Sequence, residues 1–113
     1  MVLINLVKKK LAKKSANITY DLIMGLYNGW NTVYRAYQKA EQEGDEDEMA
    51  NLYFQMVDRS EFILEERCNM ADALAMVPSN ELIWYEKYWE KMKEFDDVMA
   101  SCERKRRKKL KNE

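Results

Sequence analysis

The chain has 113 residues, 47% of them hydrophobic and 35% charged, with a formal net charge of −1. That length holds one core and not two, and the composition is that of a folded chain rather than a disordered one. One proline and three glycines favour long uninterrupted helices over a strand-and-turn fold.

The near-neutral total hides segregation. Residues 1–14 carry five lysines, residues 41–48 carry six acids and no base, and residues 104–111 carry seven bases and no acid. Such asymmetry bears on partners, not on fold. There is no histidine, no glycine-rich phosphate loop and no paired nucleophile and base. No catalytic residue, cofactor or metal is therefore expected, and the di-iron helical-bundle site, which needs histidine, is excluded.

In chain order, residues 2–14 read as a short basic helix with Leu3, Ile4, Val7 and Leu11 on one face. These apolar residues precede the lysines, the reverse of an export signal, so the sequon Asn17-Ile18-Thr19 is expected to be unused. The cytoplasm, with two free thiols, is the expected compartment. No membrane is expected as a partner, because the segment is short, lacks an aromatic anchor and has a bundle to pack on.

Ser15, Asn17 and Thr19 offer N-caps, so a second helix is expected over residues 17–43. Its seam is Tyr20, Ile23, Tyr27, Trp30, Tyr34 and Tyr37, at alternating steps of three and four. This helix is apolar nearly all round, with Leu22, Met24, Leu26 and Val33 on its other faces. Such a helix is normally covered on every side, so the 2–14 helix, a second copy or another partner must lie on it. Gly25 and Gly29, four apart, would admit a close neighbour, and Asn28-Gly29 is alternatively a turn signal.

Gly44 marks a turn, after which residues 46–77 form a helix with the seam Met49, Tyr53, Met56, Ser60, Ile63, Arg67, Met70, Leu74 and Val77. Pro78-Ser79-Asn80 ends it. A helix over residues 80–108 follows, with the seam Leu82, Tyr85, Trp89, Met92, Asp96 and Met99, and residues 109–113 end the basic tail.

The expected fold is all-α: an antiparallel bundle of three long helices plus the short basic one, as a single domain over residues 1–113. In that register Tyr20, Met70 and Trp89 share a layer, and Ser60 faces Trp30 and Met99. Arg67 is expected to pair with Asp21, and Asp96 with the Tyr27 hydroxyl, since seam charges need partners. Cys102 lies roughly 16 Å beyond the level of Cys68, too far for a disulfide.

Three surfaces are candidates. Tyr34, Tyr37 and Tyr53, with Glu43, Asp45, Glu46 and Asp47 of the acidic turn, would suit a protein partner. The run Arg104, Lys105, Arg106, Arg107, Lys108 and Lys109 would suit nucleic-acid phosphates, although it lacks stacking aromatics and sits level with the acidic turn. Glu61 and Glu65, near the heights of Glu94 and Asp97, would suit magnesium. That last arrangement resembles, in general plan, the all-α nucleotide pyrophosphatases. Their paired carboxylates three residues apart occur here only once, as Glu94-Phe95-Asp96-Asp97.

The leading expectation is a non-enzymatic helical protein-binding module, a regulator or inhibitor of a larger complex of the sort that phages and mobile elements carry. A homodimer is also expected. Nucleic-acid binding through the tail is the alternative, and a magnesium-dependent hydrolase the second alternative.

Overall fold

The computed structural model describes residues 2–112. Among them there are three long helices and no strand: α1 (Val2–Glu43), α2 (Glu46–Leu74) and α3 (Tyr85–Lys111), with one 3-10 turn at Ser79–Glu81.

The expected short helix over residues 2–14 is corrected, because α1 is a single helix of 42 residues. Neither proline nor glycine occurs before Gly25, and Ser, Asn and Thr inside a helix cost only about 0.5 kcal/mol each. Two of the three candidate caps, Asn17 and Thr19, are used otherwise. Thr19 is buried against the core, and the Asn17 side-chain oxygen accepts a hydrogen bond from Trp84 Nε1 at 2.8 Å. Asn28-Gly29 does not break α1 either; the Thr32 hydroxyl donates back to the Asn28 carbonyl at 3.0 Å.

A two-residue link joins α1 to α2. Gly44 takes φ +70°, which only glycine adopts freely. Its N–H donates to the Glu41 carbonyl and that of Asp45 to Ala40, the paired closure of a Schellman motif. Asp45 then caps α2 by accepting from the Glu48 N–H at 3.1 Å. Glu46, Asp47 and Glu48 fill the first turn of α2, where acids complement the helix dipole. The acidic run thus has a local structural reason.

The second connection is longer than expected. α2 ends at Leu74 rather than residue 77, and α3 begins at Tyr85 rather than residue 80. Pro78 and Leu82 are extended, with ψ 136° and 105°, so no helix crosses them. Val77 and Leu82 are buried and pin the crossing to the core.

The helices are not evenly spaced. α1 and α2 approach closely along their length, whereas α1 and α3 make few close backbone approaches. Side-chain size accounts for this, since interaxial distance follows the residues at the contact. The buried residues of α1 and α2 include Ala12, Ala16, Thr19, Ala40, Ser60 and Ala73. Toward α3, α1 presents large rings instead: Tyr20 stacks on Trp84 at 4.4 Å, and Trp30 meets Phe95 edge-on at 4.9 Å. The Trp30 indole N–H donates to Met99 Sδ at 3.3 Å, as the expected facing of those two residues requires.

The seam expected for α3 is corrected by rotation. Tyr88, Met92, Phe95 and Cys102 are its buried residues, while Trp89 is 53% exposed. Tyr20 therefore meets Trp84 and does not share a layer with Trp89. The expected charge pairs change with it. Arg67 makes a two-pronged bond to Asp96 at 2.7 and 3.2 Å, and Tyr27 donates to Glu94 at 3.1 Å. Asp21 is exposed. Both cysteines are free.

Candidate functional site

Two regions could meet a partner: the end holding the acidic turn, and the outer face of α1. At the turn, Lys105 bonds Glu41 at 3.0 Å and Lys109 bonds Glu46 at 2.9 Å. Arg106 lies over the Phe54 ring at 5.5 Å, with its Nε buried and unpartnered. Half of the basic run is therefore turned onto the protein itself. Arg104, Arg107 and Lys108 are exposed, Arg107 reaching back to Glu103 at 2.6 Å. Glu43 and Asp47 are exposed beside them.

The three candidate tyrosines gather at this end but differ in access. Tyr37 is buried beside Cys102, so it offers nothing to a partner. Burial holds both the Tyr37 phenol and the Cys102 thiol above their ordinary pKa, so this thiol is not a poised nucleophile. Tyr34 stacks on Trp30 at 5.4 Å and accepts from Gln38, and Tyr53 meets Phe54 edge-on. Both are half-buried.

The cleft between Met49, Tyr53, Cys102 and Arg106 has a volume of about 50 Å³, against the ~300–1,000 Å³ of ordinary small-molecule sites. A broader depression of about 450 Å³ beside Tyr85, Glu86, Trp89 and Glu90 is walled by α3 alone. Among the described residues, no three acidic or cysteine side chains converge to hold a metal, so Glu61, Glu65, Glu94 and Asp97 are not gathered into a ligand set.

The outer face of α1 is the second region. Leu3, Val7, Leu11, Ile18 and Leu22 are all exposed, from 74% at Leu3 to 47% at Leu22. Their steps of four and seven keep them on one side of a helix. Gly25 and Gly29 continue that line, and a Cβ built on either meets nothing within 4 Å. The sequence identified the two glycines and the all-round apolar character of α1. It did not identify Leu3 to Leu22 as one uncovered stripe, because that depends on α1 running unbroken past residues 15–19.

No family model, curated protein or solved structure matches this chain. The reading of these surfaces rests on their own chemistry. Among the described residues no helix is long and apolar enough to cross a membrane.

Proposed function

We propose that this chain is a small non-enzymatic helical binding module that acts by laying the outer face of α1 against an apolar helix of another protein. In this reading it regulates or inhibits a larger complex, in the manner of small phage or mobile-element regulators, and it works in the cytoplasm. The observation that carries the reading is the exposed Ile18 and Leu22 leading into bare backbone at Gly25 and Gly29. Mid-helix glycine costs roughly 0.5–1 kcal/mol relative to alanine. The fold draws no packing benefit from these two glycines, so the benefit is assigned to a helix arriving from outside.

The test is affinity capture from lysate of the source cell, comparing the parent with a Gly25→Leu/Gly29→Leu double variant. The parent should retain one protein near stoichiometry, and the variant should lose it while keeping its helical spectrum. Equal retention by both would move the contact to another surface.

A second reading has one observation behind it. α3 stays helical to Lys111, with Arg104, Arg107, Lys108 and Lys111 exposed toward one side. Four cations so arranged suit a phosphate backbone, and binding through them would weaken steeply with salt. Truncation after Glu103 would abolish that binding and leave the α1 contact intact.

A further inference from the structure

The geometry points to the first turns of α1, residues 3–14, as a docking element for an anionic lipid surface, independent of the protein contact proposed at Gly25 and Gly29. One reason to set a membrane aside, packing on the body of the protein, does not hold for residues 3–11, which are exposed except for half-buried Lys9. Ala12, which follows, is buried. The link nearest this end is Lys9 to Glu81 at 3.1 Å.

Four of the five exposed apolar residues at this end share one side of the helix. Taking ~100° per residue, Leu3, Ile4, Val7 and Leu11 fall within one sector of about 100°, with Lys8 and Lys10 on its two flanks, Lys14 between the angles of Leu3 and Val7, and Leu6 beyond Lys10. That is the arrangement of a helix lying in a bilayer interface, its apolar side sunk about 5–10 Å and its lysines reaching out to headgroups. Ile18 and Leu22 extend the same line. The buried residues Ala12, Ala16 and Thr19 lie about a third of a turn away, so α2 does not stand between this face and a flat surface.

Charge selects an anionic bilayer as the occupant. The first twenty residues hold five lysines and no carboxylate. A parallel second copy would bring these lysines against their own counterparts. An antiparallel copy centred on the helix would bring them near Arg35 and Lys39. Phosphatidylserine headgroups offer the missing charge, and the acyl boundary accepts the apolar stripe.

The experiment is vesicle flotation of the full chain, with phosphatidylcholine alone and with phosphatidylcholine mixed with phosphatidylserine. The protein should float only with the anionic vesicles and be released by salt. A Lys10→Gln/Lys14→Gln variant should bind about 25-fold more weakly, at about fivefold per lysine. A Val7→Asp/Leu11→Asp variant should not float. Both should melt like the parent, since the altered residues are exposed. The Gly25→Leu/Gly29→Leu variant should float normally, which separates this site from the protein contact. The proposal is overturned if the parent ignores anionic vesicles, or if the Lys10→Gln/Lys14→Gln and Val7→Asp/Leu11→Asp variants float like the parent. It is also overturned if Val7→Asp/Leu11→Asp instead disperses a dimer of a chain that never floats, since a second copy would then own this face.

Discussion

Trp30 and Trp89 carry the same side chain in opposite settings, at 0% and 53% exposure. Trp30→Ala should cost about 3–5 kcal/mol, since it empties the contact among Phe95, Met99 and Tyr34. Trp89→Ala should cost less than about 1 kcal/mol. Urea denaturation of the two variants checks this, and a reversed order would mean that α3 is rotated from the orientation described. The buried phenols predict a limit at high pH. Tyr27 is pushed up to about 12, chiefly by burial and then by its bond to Glu94, and Tyr37 is raised by burial as well. Unfolded tyrosines ionise near pH 10, so below that pH neither state has lost the proton and stability is unaffected. Above it the unfolded chain releases protons that the folded chain keeps, so stability should fall progressively from about pH 10 to pH 12. Melting temperature against pH, alongside phenolate absorbance, would show both changes together.

At the level of helices, the glycines separate folding from function. Gly25→Ala and Gly29→Ala should each raise stability by roughly 0.5–1 kcal/mol, because the new methyl groups enter open space. A loss of stability would mean that α1 is not regular there. Much of this level was legible in the sequence. Ile23, Tyr27, Trp30 and Tyr37 on α1, and Met56, Ile63 and Met70 on α2, are buried as their spacing requires. Gly44 and Pro78 mark the two connections. What could not be read locally was decided by packing between helices. Ser15, Asn17 and Thr19 suit a cap or a helix interior equally, and the burial of Thr19 and the bond from Trp84 to Asn17 favour the interior. In α3 the expected seam 82-85-89-92-96-99 and the set 88-92-95-99 both have helical spacing, so spacing alone does not distinguish them. Once α3 turned, the partners of Arg67 and Tyr27 turned with it. The three candidate tyrosines lie toward the acidic turn, and the depth of Tyr37 depends on packing beside Cys102 from α3, which no local pattern shows.

The whole molecule measures 62 × 24 × 20 Å with a radius of gyration of 17.8 Å, against about 13 Å for a compact domain of this length. Its long dimension is that of α1 itself, since 42 residues at ~1.5 Å each reach about 63 Å. Charge is distributed along this rod. In the basic tail Lys105 and Lys109 are answered at the acidic turn, and at the opposite end, among the described residues, Lys9 is the lysine with an ion-pair partner. Both proposed contacts depend on one fact, that α1 runs unbroken with its outer face uncovered from Leu3 to Gly29. The most direct test is a spin-label distance between residues 6 and 43, in a Cys68→Ser, Cys102→Ala background. A continuous α1 predicts about 56 Å, from 37 steps of ~1.5 Å. A distribution centred near ~30 Å would mean that the first turns fold back onto the body, which would cover the face and contradict the account.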